Sequence, residues 1–228
     1  MRLSPPARGA GASAYKRTRL PSGRTPWRAA KYCAVDLELS GLDPNQHEIV
    51  SFGAVPIEDG RIHLSAAVDG RVRPLRPLSE SSVRVHGIRT ADLADAPPLD
   101  VAIDELLAAM AGRIPVVHVA AIERSFLRPA LRRQGLRLRG QMIDTSVLGL
   151  VWLHERDGRG PPSVSLTDLA AALSLPSHHP HDAFGDALTT AQAFLALATH
   201  LDARRAETVR SLTTAGRRLE SLLAYPSR

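Results

Sequence analysis

Apolar residues recur along this chain with two different periods, and the switches between them mark out its elements. From Lys31 to Leu39 the pattern alternates. Cys33, Val35, Leu37 and Leu39 fall on one face of an extended segment, and Tyr32, Ala34, Asp36 and Glu38 on the other. A second extended run, HEIVSFGAVPIEDG, ends in an Asp59-Gly60 turn. A third, from Arg61 to about Arg73, is expected to return antiparallel, with Gly70 marking a bulge or a break. Helical spacing takes over at Leu99, Ile103, Leu106, Leu107 and Met110, and Gly112 supplies the stop. IPVVHV, 114–119, reads as a short buried strand. A helical segment over about 123–134 follows, ending at Gly135, with a kink or fresh start at Pro129.

The remaining pattern predicts a helix from about Asp144, after a short strand at 141–143, and a loop at RDGRGPPS. Ser165 and Asp168 open a further helix in a capping arrangement. A long helix covers about 183–200, and a last amphipathic helix, about 204–223, presents Val209, Leu212, Leu219 and Leu222. Three early antiparallel strands followed by alternating strands and helices predict an α/β fold: a mixed five-stranded sheet with helices on both faces. One domain over 31–200 is the simplest account, with 201–228 packed on it or extending it.

Residues 1–30 show no periodicity and are rich in Arg, Pro, Gly, Ala and Ser. They are expected to be a disordered basic tail, dispensable for folding. They change the reading of the charge. The net charge is +6, yet the tail carries seven of the 29 basic groups and no acid, leaving 22 basic against 23 acidic groups elsewhere. The body is therefore near neutral, and the tail is either solvated or an arm with nonspecific phosphate affinity. One cysteine, Cys33, excludes an intramolecular disulfide and a cysteine-rich zinc site. No apolar run approaches the roughly 18 residues of a membrane span, and no signal-peptide pattern is present, so a cytoplasmic protein without a membrane partner is expected.

Three places carry candidate chemistry. Asp36 and Glu38 point the same way from an apolar strand. Like charges about 4 Å apart at an effective dielectric near 20 repel by about 4 kcal/mol, so a cation or a raised pKa must offset them. Glu123 sits at the mouth of the helix after the fourth strand, where it is also readable as an acid favoured by the helix dipole. His181 precedes Asp186 by five residues, about 140° apart on a helix. Both can face one site only if His181 lies on the loop entering the helix and Asp186 a turn inside. Ala183 and Gly185 between them are small enough for another strand or a substrate to approach. His178 and His179 read as loop residues.

In this order, DLELSGL, HGIRT at 86–90, Asp144-Thr145 and HDAFGDA resemble the DEDDh 3′→5′ exonucleases, which include bacterial polymerase proofreading subunits and RNase T. The resemblance covers about residues 31–200. The family's second motif, His-Asn-Ala-x-Phe-Asp, is HVAAIE here, with Val119, Ile122 and Glu123 replacing Asn, Phe and Asp. Ser40 replaces a Thr. The resemblance implies a ribonuclease H-like sheet and hydrolysis at DNA 3′ ends, releasing nucleoside monophosphates. It implies that Asp36, Glu38, Glu123 and Asp186 hold two Mg²⁺ (or Mn²⁺) ions, whose hard character suits carboxylates. It makes His181 the general base, a role that suits histidine as the side chain able to exchange a proton near neutral pH. Ser40, Gly41 and Leu42 would face the terminal nucleotide, with Leu42 wedged against its base, and His86 would contact the scissile phosphate. The implied partner is nucleic acid with a free 3′ end, single-stranded DNA in the first reading, with any polymerase partner supplied in trans. Two alternatives stand beside it. One is an RNA exonuclease of the oligoribonuclease or RNase T kind, whose opening motif DLELSGLDP also resembles. The other is a non-catalytic domain that binds nucleic acid or a polymerase, which the second-motif departures motivate.

Overall fold

The structure is a computed structural model, and it describes residues 9–176, 178 and 181–224. Its strands are β1 (Tyr32–Leu39), β2 (Ile49–Glu58), β3 (Arg61–Ile62), β4 (Val68–Arg71), β5 (Ile114–Val117) and β6 (Ile143–Asp144). They form one mixed sheet in the order β3-β2-β1-β5-β6, with β4 also paired to β2. The alternating segment is β1, between antiparallel β2 and parallel β5. The sheet has six strands rather than the expected five. The single strand expected over 61–73 is interrupted by a 3-10 turn, Leu64–Ala66. Nothing covers that turn, and Leu64 stands 57% exposed.

The helices are α1 (Ala10–Arg17), α2 (Glu80–His86), α3 (Leu99–Met110), α4 (Ala120–Arg133), α5 (Thr145–Asp157), α6 (Leu166–Ala172), α7 (Ala183–Arg204), α8 (Val209–Thr213) and α9 (Ala215–Ala224). Two apolar layers result. Cys33, Val35 and Leu37 pack with α1, α3 and α4 on one face of the sheet. Tyr32 and Ala34 pack with α5 to α8 on the other. The alternation of β1 thus puts Asp36 and Glu38 on the α7 side. Several element starts follow their local signals. Asp144 caps α5 by accepting from the Ser146 N–H, and Ser165 caps α6 by accepting from the Asp168 N–H. Pro129 lies inside α4 without ending it. The last helix expected over 204–223 is instead the end of α7 followed by α8 and α9. No helix among the described residues is long and apolar enough to cross a membrane.

The expectation of a disordered tail does not hold for residues 9–30. α1 lies on α3, and the Asp104 carboxylate of α3 accepts from the N–H groups of Gly11 (3.0 Å) and Ala12 (2.7 Å). This satisfies donors of the first helical turn that have no intrahelical partner. Gly11 is required here, because a Cβ at that position would collide with the Asp104 carbonyl. Ala12 and Tyr15 are buried, and the Tyr15 hydroxyl accepts from the Arg139 N–H at 3.0 Å. The chain then reaches Trp27, 2% exposed and edge-to-face with Phe194 of α7 at 6.1 Å. Backbone bonds from Trp27 N–H to Glu207, Val209 N–H to Thr25 and Arg210 N–H to Gly23 tie this arm to the segment entering α8. Buried Glu207 in turn accepts from Arg218 at 2.8 Å, and Arg218 also donates to Glu155 of α5, which holds α9 in place.

Trp27→Ala is therefore expected to cost about 3–5 kcal/mol, a fall of about 10 °C in Tm for a domain of this size. Deletion of residues 1–30 should destabilise further. A melting curve unchanged by either would return the arm to the status of a tail.

Candidate active site

The acids of β1 are reached from above by α7, and a glycine permits it. Gly53 of β2 is the register partner of Asp36. A Cβ on Gly53 would collide with the Ala183 carbonyl and the Phe184 Cα, so the first turn of α7 rests directly on the strand. Asp182 caps that turn, accepting from the Gly185 N–H at 2.9 Å. Asp186, one turn in, accepts from the His181 backbone N–H at 2.9 Å. His181 has φ 61°, in the left-handed region where His is tolerated better than most residues. The loop-and-turn arrangement expected for His181 and Asp186 is present. One ligand-capable atom from each of Glu38, His181 and Asp186 lies within 4.8 Å of the others.

Glu123 enters from the opposite layer. It sits in the first turn of α4 and is 4% exposed. Burial raises its pKa most, then the charges of Asp36 and Glu38, while the Leu37 backbone N–H works in the opposite direction. Its Oε2 has no hydrogen-bond partner. Burial also raises Asp36, with further contributions from Asp186, Glu38 and Asp182. Glu38 is pushed up to about 7 by burial, then by Asp186 and Asp182. Asp186 is raised by burial, against which its hydrogen bond from His181 works. Four carboxylates from three elements thus converge at one end of the sheet. A hard divalent cation fits them, because it would take the orphaned Glu123 oxygen as a ligand and offset the mutual repulsion.

Residues 33–194 match the RNase_T family of exonucleases. The chain belongs to this exonuclease family. It is 31% identical over 191 residues to a DNA polymerase III subunit epsilon-like protein of Rhodobacter capsulatus, covering 83% of this chain and 27% of the relative. It is 33% identical over 170 residues to a PolC-type DNA polymerase III of Thermotoga petrophila, covering 73% of this chain and 12% of that one. The chain thus spans about a quarter or less of these relatives' lengths. Exonuclease X, solved in complex with 5′-overhanging duplex DNA, shares the fold. Its TM-score is 0.59 at 24% identity, over 80% of this chain and 99% of that one. The α/β architecture, a mixed sheet with helices on both faces, and the exonuclease family expected from the motifs are both established.

The exonuclease domain aims α4 at the site through a remote cap. The Asp144 carboxylate accepts from the N–H groups of Val119 (3.1 Å) and Ala120 (2.8 Å) as well as Ser146 (2.9 Å), so one acid caps both α4 and α5. His118 bridges Thr145 Oγ1 (2.9 Å) and the Val164 carbonyl (3.1 Å). Between them Val119 is left-handed, with φ 65° and ψ 68°. A β-branched residue is strained there, whereas the motif's Asn is at ease.

The other expected residues follow β1 in the chain or, in the case of His86, lie near His181. Ser40 Oγ accepts from the Glu48 N–H at 3.0 Å and sits 3.4 Å from His47 Nδ1. The His47 ring lies where a Cβ on Gly41 would be, and Leu42 projects 74% exposed. His86 ends α2, a helix the sequence pattern did not indicate. Burial lowers the His86 pKa, and the nearby His181 lowers it further. His178 makes a hydrogen bond with Gln192 of α7, and His179 lies outside the described residues. Two acids were missed. Asp182 adds negative charge to Asp36 and Glu38, although a capping Asp before a helix was a visible signal. Asp69 of β4 is raised by burial and by Asp182, and nothing local to it indicated a place near the site.

Two outcomes follow from this geometry. A carboxylate whose pKa is raised on folding binds more protons in the native state, so stability falls as pH rises through the interval between the two values. For Glu38 that interval runs from its ordinary 4.5 to about 7. In EDTA the Tm should fall across this range, and Mg²⁺ or Mn²⁺ should raise Tm most above it. A flat EDTA profile would contradict the burial of like charges. Separately, Val119→Asn should relieve about 1 kcal/mol of strain, a rise of a few degrees in Tm. A fall would mean that the valine's packing outweighs its backbone conformation.

Proposed function

We propose that the chain removes nucleotides one at a time from DNA 3′ ends, with two Mg²⁺ or Mn²⁺ ions held by Asp36, Glu38, Glu123 and Asp186. The observation that carries this reading is the convergence of those carboxylates, from β1, α4 and α7, around an orphaned buried Glu123 oxygen and beside the His181 ring. Glu123 replaces the family's Asp, yet its burial and its coupling to Asp36 and Glu38 make it a member of the cluster rather than a helix-start acid alone. That argues against the non-catalytic alternative. DNA is favoured over RNA by the relatives named for DNA polymerase III and by the DNA-bound neighbour. A polymerase partner in trans is the matching context.

When bound, such ions supply positive charge for an in-line phosphoryl displacement and acidify water. The protein groups do the rest. His181, its backbone fixed by the hydrogen bond to Asp186, takes a proton from the attacking water. Water oxygen bonds to phosphorus as the bond to the preceding 3′ oxygen breaks. That oxygen keeps the electron pair and takes a proton from solvent to become the new 3′ hydroxyl, and a nucleoside 5′-monophosphate is released. The Ser40-Gly41-Leu42 turn orients the terminal nucleotide, Leu42 bears on its base, and His86 meets the scissile phosphate.

Matched single-stranded DNA, duplex DNA and RNA, each labelled at the 5′ end, should be shortened stepwise from the 3′ end in Mg²⁺ or Mn²⁺ but not in EDTA, with DNA preferred. Activity in EDTA, or cleavage of circular strands, would defeat the mechanism, and preference for RNA would move the assignment to RNA turnover. His181→Ala should lower turnover by roughly 10²–10⁴-fold while keeping metal-induced stabilisation. Glu123→Gln should lower both. Wild-type turnover in Glu123→Gln would remove that residue from the site.

A further inference from the structure

We propose that the exposed arginines of α4 and of the segment after it, joined by Lys16, Arg17 and Arg19 from the N-terminal arm, form a track for the phosphate backbone of the strand whose 3′ end is in the site. This rests on the exonuclease reading above. Arg124 follows Glu123 directly, and Arg128 and Arg132 recur at four-residue spacing, steps of about 6 Å along a helix axis. Arg133 and Arg137 continue the series. From Arg124 to Ile143 the chain has six arginines and no acid.

Arg128, Arg132, Arg133 and Arg137 are exposed. Among the described residues neither they nor Arg124 take part in an ion pair. Some arginines elsewhere are paired, Arg113 with Glu58, Arg89 with Asp92, and Arg218 with Glu155 and Glu207; what sets this group apart is its spacing along one helix and the absence of acids between Arg124 and Ile143. Arg139 has a different task. Its guanidinium donates to the carbonyls of Tyr15, Lys16 and Thr18, which pins the end of α1 against the segment after α4. The exposed Lys16, Arg17 and Arg19 are thereby fixed beside the series rather than carried on a loose tail. Asp104, the acid of α3 closest to the arm, is engaged in capping α1. A row of uncompensated positive charge that starts at the catalytic acids and leads away from them fits a polyanion threaded through the site.

The test combines Arg128→Ala, Arg132→Ala and Arg137→Ala, three residues outside the site whose loss should leave circular dichroism and Tm unchanged. Binding of fluorescein-labelled oligothymidylates of three and 16 nucleotides is followed by anisotropy in EDTA across a salt series. Each single-strand phosphate contact contributes about 0.7 to the slope of log K against log salt, so the triple variant should lose about 2 from the slope with the 16-mer. The trimer should bind both proteins alike. Hydrolysis of thymidine 5′-monophosphate p-nitrophenyl ester, which has no upstream phosphates, should be unchanged. Equal slopes for the two proteins with the 16-mer would overturn the track. So would poly-glutamate binding that the triple variant loses while DNA binding stays, which would assign the face to an acidic protein. A wild type that binds the 16-mer with the expected slope but cleaves neither the oligonucleotide nor the ester in Mg²⁺ or Mn²⁺ would leave the track standing and remove the exonuclease reading.

Discussion

Mutual repulsion among Asp36, Glu38, Glu123 and Asp186 is the constraint around which this domain is built. Each of these acids would be better solvated alone at a surface. They are kept together because none of their supports can relax independently. Asp36 and Glu38 lie on the central strand of the sheet, held between β2 and β5. Glu123 is aimed by a helix whose first turn is gripped by Asp144 from another part of the chain. Asp186 is brought down by a helix that rests on the bare backbone of Gly53. The free energy stored in crowding like charges at a low-dielectric end of the sheet is the same quantity that a cation recovers on binding, so the site's instability when empty and its affinity when filled have one origin.

How much of this was legible in the sequence depended on where each determinant lay. The alternation of β1 gave its faces correctly because both faces are buried by ordinary apolar residues and the period of two is unbroken. The cap at Ser165, the helix start at Asp144, and the loop-then-turn placement of His181 and Asp186 were readable because their determinants lie within a few residues. α1 was not readable. Its first-turn donors are met by Asp104, more than ninety positions away, and the Arg-, Pro- and Gly-rich stretch around it imitates a disordered segment. The expected third strand failed for a related reason, since the exposed turn at Leu64–Ala66 has no local breaker signal beyond the absence of anything to cover it. Within the site, Asp69 approaches through the pairing of β4 with β2, a contact that no motif encodes.

The charge distribution shows the same lesson in another form. Counted along the chain, positive charge looked concentrated in a tail and the body looked neutral. Folded, the arm lies against α3 and the segment after α4, and its basic groups join a row of arginines that a linear count had balanced against distant acids. Net charge is additive along a sequence, but a field is made by what ends up on one face.

The pairing of Gly23–Trp27 with residues 207–210 also has a bearing on how the chain matures. These partners are separated by 180 to 187 positions, among the longest loops that folding must close. In the order of synthesis the arm precedes its partner, and every strand of the sheet is made between them. α1 can settle on α3 early, but Trp27 lacks Phe194 and the Glu207 carbonyl until α7 and the segment after it have been made. Phe194 and the rest of α7, which carries Asp186, likewise arrive late. While the residues between α4 and α7 are being added, the nascent chain therefore holds β1, α4 and their three acids without the fourth. The arrival of α7 supplies both Phe194, against which Trp27 packs, and Asp186, which completes the acidic cluster.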